Sequence, residues 1–490
     1  MTFIDKFLNR ITMYRLVLYV LIALLAVAVL FCSFGLLPYS PIDLIFSTLL
    51  IVSLCWGSNY IFAKWSGAIP NVESVYITAF ILALILAPAT LNNYASIGFL
   101  IFVSAGAMAS KYIFTIGRKH IFNPAAFGVA LSALILGQSA TWWIDGNLVL
   151  LPFVLLGGLL IVRKIRRFDL VLSFFVVVLL TIVLTSHGSP IAILAHTFQY
   201  SSFLFFAFVM LTEPLTAPPS RTLRVLYGAL VGLLFTSIIH LGSFYFSPEL
   251  ALLVGNLFVA LVSPKGRFML TLAEKNKIAA GTFEFVFTPD KPLTFHPGQY
   301  LEWTLGHSPS DDRGNRRFFT IASSPTEHTV RLGVKIYEPE STFKRALLAL
   351  KIGDVISASS LAGDFVLPKN PKKKLVFIAG GIGVTPFRSQ VQYLMDTKDT
   401  RTVTLLYSNK TASEIAYKNI FDTAEREIGM KTIYTSRIDG AMIAREVPDY
   451  KERTFYLSGP HGMVTAFEKT LHDMGVSRFS IKTDYFPGFA

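Results

Sequence analysis

The fold of the C-terminal half is decided by one stretch of sequence, residues 375–386, which reads LVFIAGGIGVTP. Its first five residues form an apolar run that is typical of a buried strand. Three glycines follow, ahead of a segment with the pattern of a helix. The stretch therefore predicts a strand, a tight turn and a helix N-terminus, which together can cradle a pyrophosphate, because glycines let the backbone approach it closely and the helix supplies free N–H groups.

The segments on either side of this stretch place it in a larger fold. Apolar strand-like segments recur at 403–407 and 454–457 with helical stretches between them, which predicts a parallel α/β sheet. Before residue 370 the pattern is one of short alternating segments, such as 282–287 and 331–336, which predict antiparallel strands. We therefore expect two domains here, an antiparallel β-barrel at 263–370 and a Rossmann-like α/β domain at 371–490.

The first 262 residues have a different composition from the rest of the chain. They contain 13 Lys and Arg and 7 Asp and Glu, whereas the remainder contains 31 and 24. Apolar runs of the roughly 20 residues that a transmembrane helix needs recur throughout this part. We predict that residues 1–262 form a polytopic α-helical membrane domain of about ten helices. The predicted spans lie near 12–37, 41–61, 74–90, 95–114, 121–137, 147–163, 168–185, 190–211, 223–244 and 248–262.

Basic residues alternate between the connections of these predicted helices. Lys64, the cluster 111–119, the cluster 163–167 and the pair Arg221 and Arg224 follow even-numbered helices, whereas the odd-numbered connections have no Lys or Arg. Under the positive-inside rule this pattern predicts a cytoplasmic N-terminus and a cytoplasmic C-terminal half. We expect a multi-pass protein of the cytoplasmic (inner) membrane, embedded in lipid.

The remaining composition excludes several classes of protein. The net charge of +13 is spread over both halves, which does not favour a nucleic-acid partner. Cys32 and Cys55 both lie in apolar runs, so we expect no disulfide framework, no iron–sulfur cluster and no metal site. The redox chemistry open to this chain is therefore that of organic cofactors.

Three further motifs accompany the glycine stretch in a fixed order. HPGQY at 296–300 and RRFFTIASSP at 316–325 precede it, and SGPHGMV at 458–464 follows it. Together these motifs resemble the ferredoxin–NADP(+) reductase superfamily, over essentially all of 268–490. The resemblance implies an FAD-dependent NAD(P)H oxidoreductase. Hydride transfer needs no general acid or base from the protein, because the nicotinamide and the flavin carry the chemistry.

The resemblance also assigns residues to the FAD site. Arg317 would pair with the pyrophosphate, a role that suits its planar guanidinium. Phe319 would face the isoalloxazine where the family usually has Tyr, and Thr320 would bond the flavin edge. Ser341 and Thr342 would be a second phosphate contact, although a helix N-cap explains them equally well. Further predicted contacts are Phe318, Ser323, Lys335 and, in the C-terminal aromatic segment, Phe486 or Phe489, for which core packing is an equal alternative.

The nucleotide site follows from the same resemblance. The predicted NAD(P)H contacts are Gly380, Gly381, Gly383, Thr385 and Pro386, with Gly459, Pro460 and Met463 around the nicotinamide. Ser458 stands where the family often has Cys, and with Phe319 and Phe486 it completes the residues predicted beside the hydride path. The choice between NADH and NADPH stays open, because 407–410 and 436–437 contain neither a clear acidic signal nor a clear basic one.

Two polar interruptions mark the membrane half. Asn123-Pro124 follows a basic cluster, and Thr212-Glu213-Pro214 ends an apolar run. These segments resemble the flavin-carrying membrane subunits of the sodium-pumping NADH:quinone oxidoreductase (B subunit) and of the Rnf complex (D subunit). The resemblance implies an FMN or riboflavin between helices, with Asn123, Thr212 and Glu213 as polar contacts. A capping role for Asn123 is the local alternative. Thr141 is a weak candidate for a covalent flavin, since its surroundings lack the Asp and Gly of the family's site.

The leading hypothesis is a single-chain dehydrogenase that passes electrons from NAD(P)H through FAD to the membrane flavin, and then to a quinone or an outer-face acceptor. One alternative is a redox-driven translocator of ions or solutes, and another is an anchored reductase that serves a soluble electron carrier. A haem-based membrane reductase needs two facing pairs of His. We expect no haem, because no predicted helix carries two of the four candidates, His120, His187, His196 and His240.

Overall fold

A computed structural model provides the structure of the chain, which divides into two compact units. One unit is Ile11–Lys265, and the other is Gly266–Ala490 grouped with Met1–Arg10. The structure describes all residues except 1–7, 9–10, 67–71, 117–118, 186–188, 190, 193–194, 196, 199–201, 237, 243, 264–266, 310, 312–314 and 485–490.

The first unit is helical over its described residues. Four of its helices are long and apolar enough to cross a membrane, as judged by length and composition: α1 Met13–Ser33, α2 Pro41–Ser66, α4 Tyr94–Ile113 and α7 Phe168–Thr185. The others are α3 Val72–Ile85, α5 Pro124–Leu136, α6 Leu151–Ile165, α8 Phe203–Phe205, α9 Arg221–Phe235 and α10 Pro248–Val262. Two short hairpins connect helices, formed by β1 Thr115–Ile116 with β2 Lys119–His120 and by β3 His240–Leu241 with β4 Phe244–Tyr245.

These helices agree with most of the predicted spans but not with all of them. The predicted span 223–244 is shorter in the structure, because α9 ends at Phe235 and the hairpin of β3 and β4 follows. The predicted span 190–211 lies partly outside the described residues, and its described end is the short α8 with a π-helical turn, Phe206–Met210. The count of ten spanning helices stays a prediction.

Side-chain caps and glycine contacts explain the local geometry of this unit. Asn123 and Ser247 cap the N-termini of α5 and α10. Each helix has a proline in its first turn, where a backbone N–H would find no acceptor within the helix, so its absence costs nothing. A Cβ on Gly128 would lie 2.5 Å from the carbonyl oxygen of Val103, and one on Gly228 would lie 2.6 Å from that of Leu170. Glycine thus lets α5 approach α4, and α9 approach α7, at backbone distance.

The first lobe of the second unit is a six-stranded antiparallel sheet with the order β8-β7-β10-β5-β6-β9. In the strand Thr282–Pro289 the residues 284–287 are all buried, and Phe285 and Phe287 pack in a core with Trp303 and Leu332. A hydrogen bond from Ala322 N to Arg331 O joins the two edges at one point, and the closed barrel stays a prediction. The strands are β5 Phe268–Ala279, β6 Thr282–Pro289, β7 Tyr300–Thr304, β8 Arg316–Thr320, β9 Val330–Lys335 and β10 Val355–Ala362.

The second lobe is a five-stranded parallel sheet with the order β13-β12-β11-β14-β15. The strand β11 is buried throughout, as its apolar sequence predicts. The chain moves outward from β11 in both directions, so the point between β11 and β14 is the topological switch point, where such sheets bind ligands. The strands are β11 Leu375–Gly380, β12 Val403–Ser408, β13 Lys431–Thr435, β14 Thr454–Ser458 and β15 Ile481–Asp484. The helices of the second unit are α11 Thr342–Ala349, α12 Thr385–Asp396, α13 Lys418–Ile428, α14 Gly440–Glu446 and α15 His461–Asp473.

Candidate functional site

The predicted pyrophosphate residue, Arg317, is held inside the first lobe. It lies on β8, is 8% exposed, and has its guanidinium carbon 5.1 Å from the centre of the Phe343 ring. Its Nη2 lies 3.4 Å from Asp311 Oδ1, and its Nη1 donates to the carbonyl of Arg316 at 2.7 Å. The guanidinium is therefore already oriented, and its contact with Asp311 is long enough to be exchanged for a phosphate oxygen.

Ser341 and Thr342 lie at the N-terminus of α11, beside the same aspartate. Ser341 is the N-cap, and its Oγ accepts a hydrogen bond from Lys344 N at 3.3 Å. Thr342 Oγ1 accepts from Asp311 N at 3.0 Å, and the Thr342 N–H donates to Asp311 Oδ2 at 3.3 Å. The capping alternative is thus realised for Ser341, and the carboxylate of Asp311 bridges the N-terminus of α11 and the guanidinium of Arg317.

Two aromatic residues of β8, Phe318 and Phe319, lie in the sequence between Arg317, the predicted pyrophosphate contact, and Thr320, the predicted contact to the flavin edge. Phe319 is half-buried and packs 6.0 Å from the ring centre of Phe343, while Phe318 meets the edge of Tyr300 at 5.7 Å. Thr320 Oγ1 donates to Asp484 Oδ2 at 3.3 Å, which brings the end of β15 to β8. The predicted stacking residues Phe486 and Phe489 lie outside the described residues.

Two predicted FAD contacts have structural partners of their own. Ser323 is fully buried, and its Oγ accepts a hydrogen bond from Arg331 N at 3.1 Å. Lys335 Nζ donates to Glu414 Oε2 at 2.6 Å, which joins β9 to the second lobe. Both residues therefore hold parts of the fold together, and their roles toward a cofactor stay predictions.

The glycine stretch forms the predicted strand, turn and helix. It runs from β11 through a short 3-10 turn at Gly381–Val384 into α12, and Gly381 has a φ of +52°. A Cβ on Gly383 would lie 2.6 Å from the Cα and N of Gly459 and from the carbonyl oxygen of Ser458. The two loops thus meet backbone to backbone, at the switch point between β11 and β14.

The remaining nucleotide residues surround the same point. The Met463 side chain packs directly on Gly380, where a Cβ would lie 2.3 Å from Met463 Sδ. Pro460 precedes α15, and its carbonyl accepts from the Met463 N–H at 2.9 Å. Thr385 begins α12 and donates its hydroxyl to Ile382 O at 3.2 Å, with Pro386 buried next to it. All eight predicted nucleotide contacts therefore lie at the carboxyl ends of two adjacent strands.

The carboxyl ends of β12 and β13 carry the residues whose sequence did not decide between NADH and NADPH. Ser408 Oγ donates to the carbonyl of Ser436 at 3.2 Å, and Thr435 Oγ1 donates to that of Arg437 at 2.8 Å. Tyr407, one residue earlier on β12, is buried, and burial raises the pKa of its hydroxyl to about 12. No acidic residue stands at the end of β12.

The membrane unit brings two of its three predicted polar residues together. Asn123 Nδ2 donates to Glu213 Oε2 at 2.9 Å, and Thr216 Oγ1 donates to the same oxygen at 3.1 Å. His120 Nε2 lies 3.4 Å from Glu213 Oε1. The third predicted residue, Thr212, does not contact Glu213 but donates its hydroxyl to Phe208 O at 2.7 Å.

Of the six residues of this cluster, the sequence predicted only Asn123 and Glu213 as site residues. The Asn123 N–H donates to Asn256 Oδ1 at 2.8 Å, and Asn256 Nδ2 donates to the hydroxyl of Tyr227 at 3.1 Å. Both residues are fully buried. Asn256 is a lone amide in the apolar α10, and that could have identified it. We use the name inner polar cluster because these residues are predicted to lie near the cytoplasmic side of the membrane. The cluster consists of His120, Asn123, Glu213, Thr216, Tyr227 and Asn256.

Two further buried carboxylates were absent from the prediction. Asp145 Oδ2 accepts from Phe205 N at 2.8 Å, at the last residue of the short α8, and Glu249 Oε1 accepts from Trp142 Nε1 at 2.8 Å. Each is 2% exposed. The weak covalent candidate, Thr141, is exposed and bonds the carbonyl of Ile85 at 3.2 Å. No group of three or more His, Cys, Asp or Glu that could hold a metal is present among the described residues.

Comparisons with known proteins assign both units. Residues 146–265 match the model of the NQR2, RnfD, RnfE family, and residues 377–469 match the model of the oxidoreductase NAD-binding domain. These matches confirm the predicted combination of a membrane domain of the first kind with an NAD-binding oxidoreductase domain.

Relatives of known sequence and structure match the second unit. The chain is 27% identical to a flavohemoprotein of Oceanobacillus iheyensis over 222 residues, 41% of this chain and 54% of that protein. It is 28% identical to an NADPH oxidoreductase of Mycobacterium tuberculosis, over 37% of this chain and 50% of that protein. The chain thus spans about half the length of these relatives.

Among solved structures, the flavohem-like FAD/NAD binding domain of a nitric oxide dioxygenase from Vibrio cholerae is 23% identical. The matched region covers 46% of this chain and 99% of the Vibrio cholerae domain, with a TM-score of 0.41.

Proposed function

We propose that this chain is a membrane-bound NAD(P)H dehydrogenase. Its second unit would bind FAD and NAD(P)H, and its first unit would bind FMN or riboflavin, with a quinone or an outer-face compound as the final acceptor. The observation that carries the proposal is the backbone contact of Gly383 with Gly459 at the switch point of the parallel sheet. Such close approach of two glycine loops leaves space for a dinucleotide at the strand ends.

The residues around β8 fit the FAD that the module implies. Arg317 offers an oriented guanidinium, and the N-terminus of α11 would add the N–H of Thr342 once a phosphate oxygen replaces its present acceptor, Asp311. Phe319 would lie against the ring system, and Thr320 would offer a hydroxyl to its edge. When bound, FAD would accept a hydride from NAD(P)H and release the electrons singly.

The inner polar cluster fits a flavin of the membrane unit. An isoalloxazine offers carbonyl oxygens and ring nitrogens, and the cluster supplies the amide of Asn123, the hydroxyl of Thr216 and the carboxylate of Glu213. Polar groups at such a position in apolar helices are costly, and they commonly mark a functional site. The π-helical turn at Phe206–Met210, which precedes Thr212 and Glu213, is a further feature that is frequent at such sites.

The proposed orientation of the protein in the membrane follows from the distribution of its basic residues. The basic connections at Lys111 and at 163–167 are adjacent to the predicted cytoplasmic ends of their helices. The NAD(P)H site would therefore face the cytoplasm, from the inner membrane, where its substrate is present.

Flavin analysis of the purified full-length protein tests the proposal. We expect FAD and, in a comparable amount, FMN or riboflavin that is released without proteolysis. Glu213→Gln should lower the content of the second flavin and leave the FAD content unchanged, because the neutral amide changes the bonds to Asn123 and Thr216. Glu73→Gln is the matched control, since Glu73 belongs to the same unit and pairs with Arg15 at 3.7 Å. FAD alone in the wild-type extract would remove the membrane flavin from the proposal.

A second candidate function is favoured by the two buried carboxylates. Asp145 and Glu249 lie in the membrane unit, where an ionisable group is expensive unless it serves ion or proton movement. A redox-driven translocator would therefore show acceptor reduction that depends on the cation present, and Glu249→Gln would abolish that dependence. Equal rates in sodium, potassium and choline salts, with no proton release into the lumen of proteoliposomes, would rule this candidate out.

A further inference from the structure

Four alternating charges join the two lobes of the second unit. Arg388 of α12 forms a fork on Glu327, with Nη2 3.0 Å from Oε1 and Nη1 bonded to Oε2. Arg331 Nε donates to the same Glu327 Oε1 at 3.1 Å, and its Nη1 donates to Glu284 Oε2 at 2.8 Å. Glu284, Glu327 and Arg331 belong to the first lobe and Arg388 to the second. We call these four side chains the interlobe charge chain.

The interlobe charge chain is buried at both ends. Arg388 is 4% exposed and Glu284 is 5% exposed. Buried charges bring a desolvation penalty that apolar side chains of similar size would avoid, so their presence is weak evidence for stabilisation alone. A fork between guanidinium and carboxylate is, however, directional, and it fixes distance and angle in a way that apolar packing does not.

The direction fixed by Arg388 is that of the helix that leads out of the glycine stretch. Thr385 begins α12 and lies one helical turn before Arg388. Its Cγ2 would be 2.8 Å from a Cβ on Gly333, so α12 starts directly on the backbone of β9. The hydroxyl of Tyr417 would lie closer still, at 2.6 Å from that Cβ, so side chains of the second lobe pack directly on Gly333.

A second set of bonds leads from α12 to the predicted flavin edge. Arg388 Nη1 also donates to the carbonyl of Ala322 at 3.2 Å, and Ser389 Oγ donates to that of Ser323 at 2.6 Å. Ala322 and Ser323 follow Thr320 by two and three residues. A short path of bonded atoms therefore runs from Thr385, at the nucleotide loop, to Thr320, at the flavin edge.

Tyr417 packs beside the guanidinium of Arg388. Its ring centre lies 5.9 Å from the guanidinium carbon of Arg388, and the side chain is 5% exposed. Its φ is +59°, a left-handed conformation that a tyrosine rarely adopts. The surrounding contacts thus hold the backbone of Tyr417 in an unusual conformation, with its ring beside the guanidinium of Arg388.

We propose that Arg388 and Glu327 are positioning residues for hydride transfer, which set the distance between the NAD(P)H held by the loop at Thr385 and the isoalloxazine at Thr320. This inference rests on the proposed NAD(P)H and FAD sites. Neither side chain touches the reacting atoms. Each acts through α12 and through the carbonyls of Ala322 and Ser323.

The test compares Arg388→Lys with Arg401→Lys in the full-length protein. Lysine keeps the charge but cannot form the fork. Arg401 is a matched control, because its side chain is similarly buried and makes no bond to the first-lobe strands. It bonds the carboxylate of Asp399 in the second lobe and the carbonyl of Pro368, which lies just before that lobe begins. The readouts are FAD content, melting temperature, the rate of FAD absorbance loss at saturating NAD(P)H, the KM for the nucleotide, and the long-wavelength charge-transfer absorbance of the two stacked rings.

We expect Arg388→Lys to lower the rate at saturation by about 10- to 100-fold, as a displacement of about 1 Å between reacting groups does. KM should change little, the charge-transfer absorbance should fall, and FAD content should stay at the wild-type value. Glu327→Gln should do the same, and the double variant should be no slower than either single one, because both remove one fork.

Two other outcomes would overturn the inference in different ways. If both lysine variants lose stability alike and keep the wild-type rate and charge-transfer absorbance, the charge chain is structural only. If wild-type protein with bound FAD shows no reduction by NADH or NADPH, the proposed function fails, and the positioning role fails with it.

Discussion

Replacing Gly383 by alanine places a methyl group where the second glycine loop already lies. The new Cβ would be 2.6 Å from the Cα and N of Gly459 and from the carbonyl oxygen of Ser458. All three atoms belong to the main chain, so no side-chain rotation relieves the overlap. Ordinary contact begins at 3.4 Å, and the two loops must therefore separate by about 0.8 Å.

The size of the effect follows from this separation. Overpacking of a tight core typically costs about 1–3 kcal/mol of unfolding free energy. A misplacement of about 1 Å between reacting groups can cost about 100-fold in rate. We therefore expect Gly383→Ala to fold with a lower melting temperature and to lose about 100-fold in kcat/KM for NAD(P)H, while FAD remains bound.

The assay is steady-state oxidation of NADH and of NADPH with ferricyanide as acceptor, on full-length protein in detergent. Gly462→Ala is the matched control, because its Cβ would meet no atom within 4 Å and alanine favours the helix α15. It should keep wild-type activity and stability. If Gly383→Ala is as active as Gly462→Ala, the two loops do not form the nucleotide site, and the placement of NAD(P)H at the switch point is wrong.

Three further outcomes are expected. Arg317→Ala should lower FAD content at least about tenfold through loss of a charge-assisted phosphate contact, whereas the partly exposed Arg316→Ala should not; flavin absorbance after gel filtration measures both. Tyr227→Phe should lower the melting temperature of the membrane unit, because a buried amide of α10 loses its acceptor at a cost of about 1–3 kcal/mol. The Arg401 guanidinium lowers the pKa of Asp399, so the folded protein binds that proton more weakly than the unfolded chain. The resulting stabilisation is present above the unfolded pKa of about 4 and is lost as the pH falls through the folded value. We therefore expect Asp399→Asn to be less stable than wild type at neutral pH and equal to it in strong acid. Thermal melts at the two pH values measure this difference.

The parts of the site that the sequence predicted are those fixed by local chemistry. The turn at Gly380–Gly383 follows from glycine spacing after an apolar strand, and its neighbours Ser458 and Gly459 follow from a second motif of the same kind. Asn123 as a cap before Pro124 is likewise a local signal. Each of these needs only a few adjacent residues, and the structure brings them to the predicted edge and helix end.

The parts that were missed depend on contacts between distant segments. Asn256 reaches Asn123 across 133 positions of sequence, and Arg388 reaches Glu327 across 61. The pairing of Lys335 with Glu414, 79 positions away, was likewise not predicted, while the predicted role of Lys335 toward a cofactor stays a prediction. Periodicity and motif spacing report which face of an element is apolar, but they do not report which polar side chain will lie opposite it.

The π-helical turn at Phe206–Met210 has a consequence for how this chain tolerates changes in length. A turn closed by i→i+5 bonds holds one residue more than an α-helical turn. Removal of one residue there would let the backbone close into ordinary α-helix, with Glu213 still directed at Asn123. The same deletion inside α10 would rotate all later residues of that helix by about 100° and turn Asn256 away. Insertions and deletions among relatives are therefore expected to collect at this turn, and the spacing from Glu249 to Asn256 is expected to stay fixed.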